Sequence, residues 1–534
     1  MRPIEHTCEV PEGESGVKPP HAKAAAPPPR NTALNFAIAL AFAAVALALA
    51  WRVGVAGEEP QAVLQGVCRE LLAGTTEGRQ ALVGSCWFGP LPLAWSAWCV
   101  WVASAWGCDS TLALVFAAWC GWALALYRMG RLIPECRWTQ LGVQAAGTVG
   151  IAACGGAFDP SIAMPVWLGI TAAGACANWA STRTLGALSM LGFAMGGLGL
   201  CGLSLAGWTV WVALALPAIT LGFPDVRRRM PAVLVLGWLP LLYAVGVWAL
   251  LNRLLLGDSL YFLRSLTADS VLVWKGWPGM GDAGHRLSVA LGVTAVGMGF
   301  WRRRSDGVWL GILTLGAWGW GRMLLGSSAS WAETAPLATM LGVVAVVRVA
   351  GPAMHAAPGS EAQRFGEVAL RLSALGMVSV TILALAVCAW FDNRRVSCAE
   401  RLAVARRSEA QAAAVCRSVE TYVNGRTRYG RVFVCGYEGL ALLRKASRNR
   451  LIPNLDLHVA ELRRLYRGQT LFILVHKPIG RAVVDSVQWQ FPEAYRDGME
   501  RTLHARYFGD WRLFEVVGAP TEEQLREWRH PPTR

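Results

Sequence analysis

The 534-residue chain is 54% hydrophobic and only 16% charged, and its mean hydropathy is positive. These values exclude an ordinary string of soluble domains and predict an α-helical polytopic membrane protein. The formal charge is +15 at pH 7, and most of the excess lies in residues 393–534. A basic domain beside a membrane is expected to face anionic lipid or phosphate, and the absence of an aromatic-interleaved or zinc-type motif argues against nucleic acid.

The N-terminal residues 1–30 are rich in proline and alanine and carry charges of both signs, which predicts a disordered cytoplasmic tail. The apolar run 34–55 is long for the hydrophobic region of a signal peptide, so we expect an uncleaved first span. It opens a transmembrane domain predicted over residues 31–392.

Further apolar segments follow the first along the chain. They are 91–107, 111–127, 139–157, 161–180, 184–203, 205–223, 232–251, 286–300, 307–325, 333–349 and 372–391. Several are short and rich in glycine and alanine, which is typical of closely packed membrane helices. With the first run they make twelve candidate spans.

The basic loops predict the orientation of these spans. Arg227–Arg229, Arg302–Arg304 and the loop around Arg348 and Arg364 should be cytoplasmic by the positive-inside rule. The loop 252–285 and the C-terminal domain are then extracytoplasmic, which requires an odd number of spans, 11 or 13. The count of twelve spans is even, so one predicted boundary must be wrong. Either 91–127 holds one span and a re-entrant piece instead of two spans, or the error lies in the glycine-rich block 139–223.

The C-terminal quarter has a different residue pattern from the transmembrane domain. Residues 393–422 predict a linker helix that leaves the membrane, followed by a small α/β domain over residues 423–534. Strands are predicted at Arg431–Gly436, Thr470–His476 and Arg512–Val517, and helices near 438–447, 457–466 and 493–505. This alternation favours three layers with a largely parallel sheet, acting as an acceptor-binding or stabilising module.

The first loop, residues 52–90, carries an acidic pair, Glu58 and Glu59, just after the first span. A carboxylate at a membrane boundary is a candidate functional group, and a solvated pair at a helix end is the equal alternative. A carboxylate facing a dry cavity can deprotonate a hydroxyl or hold a divalent cation. Adjacent side chains on a helix diverge by about 100°, so one of the two is expected to face a site.

The acidic pair is followed by a helix of the x-x-x-x-L-x-G type, Val67–Gly74, and by a Pro-rich re-entry, Gly89–Pro92. This layout resembles the GT-C glycosyltransferases, especially the protein mannosyltransferase and aminoarabinose transferase branch. That branch carries Asp-Glu, with the Asp as the catalytic or metal-linked acid. The resemblance gives Glu58 this role, with Glu59 as its neighbour, and leaves a divalent cation (Mg or Mn) on Glu58 open as the sole candidate cofactor.

A second resemblance lies at Asn252–Ser265, which reads NRLLLGDSLYFLRS. It is similar to N-x-L-x-x-G-D-P-L-Y-F in uncharacterised bacterial membrane proteins of this superfamily, with Ser259 in place of the Pro. The resemblance implies a polyprenyl-phosphate-linked sugar donor, whose phosphate needs cations near the membrane surface. The candidate phosphate-binding residues are Arg253, Tyr261, Arg264, Lys275, His285 and Arg286.

Each of these cations has snorkelling at the interface as its alternative role. Asp258 and Asp269 are candidates for binding the sugar or the acceptor, with turn and cap roles as alternatives. Cys68 and Cys86 could form a disulfide in an extracytoplasmic loop, although free thiols are expected from the scattered use of cysteine elsewhere.

Together these features predict a glycosyltransferase of the inner (cytoplasmic) membrane. It would transfer a sugar from a polyprenyl-phosphate carrier to a cell-envelope acceptor at the extracytoplasmic face, by a single inverting displacement. A transporter or flippase for a lipid or small solute, and a non-catalytic membrane anchor for the C-terminal domain, are the alternatives. The first would predict an internal repeat, and we find no convincing one.

Overall fold

The computed structural model describes most of the region up to residue 350 and several parts of the C-terminal quarter. The described residues are 32–53, 58–84, 89–133, 137–152, 157–202, 205–221, 224–260, 283–301, 305–323, 328–350, 413–427, 430–435, 442, 451–454, 470–477, 494–496, 498 and 502–516.

The first part of the chain is entirely helical within these residues. Its helices are α1 Thr32–Val53, α2 Glu58–Leu72, α3 Thr76–Gly84, α4 Pro90–Ala105, α5 Ser110–Leu132, α6 Arg137–Ala152, α7 Pro160–Thr182, α8 Leu185–Gly199, α9 Ala206–Leu221, α10 Pro224–Arg227, α11 Met230–Leu256, α12 Ala283–Trp301, α13 Ser305–Met323 and α14 Ser328–Ala350. Each predicted apolar segment up to residue 349 coincides with one helix. The segment 372–391 lies outside the described residues.

Four of these helices are long and apolar enough to cross a membrane: Thr32–Ala50, Ser110–Leu132, Pro160–Thr182 and Met230–Leu256. Shorter apolar helices, such as Leu185–Gly199 and Ala206–Leu221, pack among them. The predicted fold class, a polytopic α-helical membrane protein with a C-terminal domain of mixed α and β structure, is confirmed.

Local sequence signals set several helix ends. Asp109 and Asp159 cap α5 and α7, because their Oδ1 atoms accept backbone N–H groups two residues on, at 2.9 and 2.8 Å. Pro160 then occupies the first turn of α7, where its missing N–H is harmless. Gly257 ends α11 in the left-handed conformation, with φ of 79°.

Contacts between α1 and α5 show which helix ends lie together. Trp119 Nε1 donates to the Leu40 carbonyl at 3.0 Å, and the Phe36 and Tyr127 rings lie 5.6 Å apart. The two helices are therefore antiparallel, and Ser110 lies where α1 finishes. Gln65 of α2 donates to Ser110 Oγ, so the helices of the first loop cover this end of the bundle. We call it the loop end.

Helix α4 lies antiparallel to the first half of α5, because Trp95 Nε1 donates to the Ala117 carbonyl at 3.3 Å and α4 ends just before α5 begins. Its Leu91 N–H donates to the carbonyl of Leu200 at 3.0 Å, and Leu200 packs beside Val83 of the first loop. Its other end turns at Gly107 into the start of α5. α4 therefore does not run from one end of the bundle to the other, as expected of the re-entrant alternative for 91–127. The number of spans, 11 or 13, stays a prediction.

The opposite end of the bundle is tied together by a buried ion pair. Arg348 Nε lies 2.7 Å from Asp306 Oδ2, and its Nη2 donates to Asn178 Oδ1 at 3.1 Å. Arg348 Nη1 also lies 3.4 Å from the Leu132 carbonyl. The ends of α5, α7 and α14 thus meet the start of α13 here. We call this the basic end.

The C-terminal quarter contains a helix over residues 413–426 (α15) and a five-stranded sheet. The strands are β1 Arg431–Cys435, β2 Leu451–Asn454, β3 Leu471–His476, β4 Thr502–Phe508 and β5 Trp511–Val516, in the order β2-β1-β3-β5-β4. β1 pairs in parallel with β2 and β3, whereas β5 pairs antiparallel with β3 and β4.

Three predicted strands are confirmed as β1, β3 and β5, but two parts of the prediction for this domain are wrong. The sheet is mixed rather than largely parallel, because β4 and β5 form a hairpin across a turn at Gly509. The helix expected near 493–505 is replaced in part by β4. The helices expected near 438–447 and 457–466 fall largely outside the described residues.

The C-terminal domain and the first loop share one apolar cluster. It contains Val63 and Val67 of α2, Leu93 of α4, Val419 of α15 and Phe472 of β3. Burial of such side chains stabilises association by roughly 25 cal/mol per Å² of apolar surface. The sheet is therefore associated with the loop end of the helical bundle.

Candidate functional site

The acidic pair stands at the very start of a helix. α2 begins at Glu58, so Glu58 and Glu59 are its first two residues. Negative charge is favoured at this position by the helix dipole and by the free N–H groups of the first turn. Their side chains are outside the described part of the structure, so the choice between them stays a prediction.

Helices α2 and α3 form a tight hairpin. Gly74 takes a φ of 68° at the turn, and Thr75 Oγ1 accepts from the Gly78 N–H at 3.1 Å as the cap of α3. Thr75 Oγ1 also donates to the Glu70 carbonyl at 3.0 Å. A Cβ at Gly78 would overlap the backbone of Glu70, so the two helices touch through their main chains. A displacement of α3 is therefore transmitted to α2.

The hairpin packs on the bundle through α2. Leu64 and Val67 are buried in the cluster that includes Leu93 of α4. Cys68 on the same face is a free, buried thiol, and this burial raises its pKa. Cys86, its predicted partner, lies outside the described residues. Arg69 is exposed and places Nη2 3.4 Å from Ser110 Oγ, which adds a cation at the loop end that the sequence reasoning missed.

The other end of the hairpin is bound to α11. The Val83 carbonyl, in the last turn of α3, accepts from Trp248 Nε1 at 2.6 Å and from Asn252 Nδ2 at 2.7 Å. All three residues are buried, with exposed fractions of 0% for Val83, 4% for Trp248 and 0% for Asn252. The first loop and the Asn252 motif, which are separated by about 170 residues in sequence, are therefore in direct contact.

Two predicted site residues of the motif make local contacts. Arg253 is exposed, and its Nη1 donates to the Gly257 carbonyl at 2.5 Å, just past the end of its own helix. Asp258 Oδ1 accepts from the Leu260 N–H at 3.0 Å. Asp258 takes the turn role named as its alternative, whereas Arg253 contacts the end of its own helix, and contact with a donor stays a proposal for both residues.

The remaining predicted residues lie within or just after the segment 261–282. Tyr261, Arg264, Asp269 and Lys275 lie outside the described residues. His285 and Arg286 fall within the first turn of α12, although their side chains are not described. α12 runs antiparallel to α13, because Gly292 faces Leu315 and Gly311 faces Val296. Since α13 begins at the basic end, α12 begins at the loop end.

The described residues hold no group of three or more His, Cys, Asp or Glu side chains that could bind a metal ion. Glu58 is not among the side chains searched, so a cation on it stays a proposal. Sequence reasoning missed Trp248 because a tryptophan near a span end is ordinarily an interfacial anchor. Its spacing of four residues from Asn252, which puts both on one helix face, was the available signal.

Comparison with known proteins gives one kind of match. No family model and no curated protein matches the chain. Among solved structures it is similar to ArnT from Cupriavidus metallidurans bound to undecaprenyl phosphate, with 12% identity and a TM-score of 0.48, over 90% of this chain and 98% of that one. The apo state of the same protein matches with 11% identity, a TM-score of 0.48 and the same coverage.

Proposed function

We propose that the chain is a GT-C-type membrane glycosyltransferase that moves a sugar from a polyprenyl-phosphate carrier to a cell-envelope acceptor. One observation carries the proposal. The hairpin that begins with Glu58 and Glu59 is hydrogen-bonded, through Val83, to the end of α11 that leads into the cation-rich loop. An acid and a set of phosphate-binding cations are the two groups that this reaction needs within one site.

The proposed reaction is one displacement. The Glu58 carboxylate takes the proton of an acceptor hydroxyl while the hydroxyl oxygen bonds to the anomeric carbon. The bond between that carbon and the phosphate oxygen breaks, its electron pair leaves with the polyprenyl phosphate, and the configuration is inverted. Arg264, with Arg253 and Lys275, stabilises the charge on the leaving phosphate.

Membrane vesicles provide the test. Vesicles containing the protein are supplied with radiolabelled polyprenyl-phosphate sugars and an envelope extract, and transfer of label is measured. Glu58→Gln keeps the size of the side chain but removes the base, so transfer is expected to fall by about 100-fold or more. Glu59→Gln is expected to have a smaller effect, because adjacent residues diverge around the helix.

Arg228→Gln, which removes an exposed charge near the basic end, is the control and should transfer label as the wild type does. Full activity of both glutamine variants, with folding verified by chromatography and circular dichroism, would contradict the proposal.

A further inference from the structure

Trp248 and Asn252 make an unusual pair of contacts for the end of a membrane helix. Both donate to one backbone oxygen, the Val83 carbonyl, from successive turns of α11. Carbonyls in the last turn of a helix have no partner within that helix. The two donors therefore satisfy an end of α3 that would otherwise need water, and they do so in a buried setting.

The hydrogen bonds of Asn252 indicate that this residue positions α3 rather than stabilises the fold. Its amide nitrogen donates to Val83 and, at 3.0 Å, to the Trp248 carbonyl. Its Oδ1 is buried and has no hydrogen-bond partner within the described part of the chain. A buried, unsatisfied acceptor destabilises a fold, and leucine would fill similar space without one. What asparagine supplies here, and leucine cannot, is the N–H directed at α3.

The contact is coupled to the acidic pair through rigid links. α3 meets α2 main chain to main chain at Gly78, and Thr75 joins the two helices by side-chain bonds. α2 is held in turn by Gln65 on Ser110. The first residues of α2 are Glu58 and Glu59. A shift of α3 by one hydrogen-bond length is therefore passed along the hairpin toward the acidic end.

We infer that Trp248 and Asn252 are positioning residues, which hold the acidic hairpin against the end of α11 through the Val83 carbonyl. The inference rests on the proposed function for its catalytic part. Neither residue contacts reacting atoms in this account. Both act through α3, so their loss misplaces the acid without removing it, and geometric errors of this kind lower turnover more than affinity.

Two variants test this with little change of volume. Trp248→Phe keeps an aromatic ring but removes the indole N–H, and Asn252→Leu removes the amide. Trp238→Phe is the matched control, because Trp238 lies on the same helix and its Nε1 also donates to a backbone carbonyl, that of Ala213 at 3.1 Å. Two measurements are made on the full-length protein: hydrogen exchange of the α3 amides, and kcat with KM for the sugar donor.

Each test variant is expected to raise exchange in α3 and to lower kcat by about tenfold, the equivalent of one net hydrogen bond. KM for the donor should stay within about twofold, and Trp238→Phe should change neither measurement. Unchanged exchange in α3, or faster exchange with an unchanged kcat, would overturn the inference. If the wild type transfers no sugar, the proposed function fails, and exchange alone then decides whether the contact holds the hairpin.

Discussion

Arg348 is buried at the basic end, and its charge is balanced by Asp306 at 2.7 Å. Removing one member of a buried pair leaves the other charge desolvated without its counter-ion. Arg348→Met is therefore expected to lower the free energy of unfolding by about 3–5 kcal/mol. Denaturation in detergent micelles, followed by circular dichroism, measures this change.

The double variant Arg348→Met/Asp306→Leu should recover most of this loss, because a hydrophobic pair of similar volume fits the same space. Arg228→Gln, at an exposed position, is the control and should stay within about 0.5 kcal/mol of the wild type. If Arg348→Met were as stable as the wild type, the buried Asp306 would not need Arg348 as its counter-ion, and the account of this ion pair would be wrong.

At the level of single residues, the sequence predicts which charged residues lie in the region of interest better than it predicts which groups they contact. Arg253 and Asp258 were picked as ligand-binding groups because of their charge, yet each makes a contact within a few residues of itself. Local caps and ligand contacts use the same residue types, so a single sequence cannot separate them. The contact of Asn252 with Val83 could not be predicted, because it joins segments that only the folded bundle brings together.

For helix α4, the sequence predicts an apolar helix but does not decide whether this helix crosses the membrane. Its apolar run was identified, and a re-entrant piece in 91–127 was one of two explanations for the parity conflict. Sixteen apolar residues are about 24 Å of helix, which is marginal for a span and ample for a re-entrant segment. In the structure, α4 starts beside Leu200 and is followed by a turn at Gly107 into α5, which favours the re-entrant piece, and the span count stays a prediction.

Labelling of Cys108 can show whether α4 crosses the membrane. It is exposed in the turn between α4 and α5, so a re-entrant α4 puts it on the same side as the first loop. We predict that a membrane-impermeant maleimide added to intact spheroplasts labels Cys108, as measured by peptide mass mapping. If α4 crossed the membrane, Cys108 would be cytoplasmic, and labelling would require permeabilised cells.

Two buried cysteines are internal controls for this experiment. Burial raises the pKa of Cys68, and it raises the pKa of Cys416 to about 11, so at pH 7.5 both thiols are protonated and unreactive. Because their pKa values are raised, reactivity should increase only as the pH rises toward those values. Labelling of Cys68 as fast as Cys108 at pH 7.5 would contradict the buried position of α2.

Across the whole molecule, the sequence predicts the helices more accurately than it predicts the sheet. Membrane helices satisfy their own backbone, so apolar length alone predicts them. Strands depend on neighbours that sequence does not reveal. β2 contains Pro453, which reads as a break but is tolerated because β2 is an edge strand. β4 has mostly exposed side chains, and only its first residues fall within the helix predicted near 493–505.

The overall arrangement concentrates the features of interest at one end. The acidic hairpin, α4, the end of α11 and the C-terminal sheet all meet at the loop end, whereas the Arg348–Asp306 pair holds the other. Positive charge in the loops near the basic end predicts, by the positive-inside rule, that this end faces the cytoplasm. On that prediction, the proposed site and the C-terminal domain share the extracytoplasmic side.

The most direct measurement locates the donor on the protein. A polyprenyl phosphate with a diazirine in the isoprene unit next to the phosphate is irradiated with the protein in membranes, and the labelled peptides are mapped. We predict labelling within residues 58–84 and 252–286 that unlabelled polyprenyl phosphate suppresses and phosphatidylglycerol does not. Labelling centred on Asp306 and Arg348, or labelling that polyprenyl phosphate fails to suppress, would contradict a donor site at the loop end.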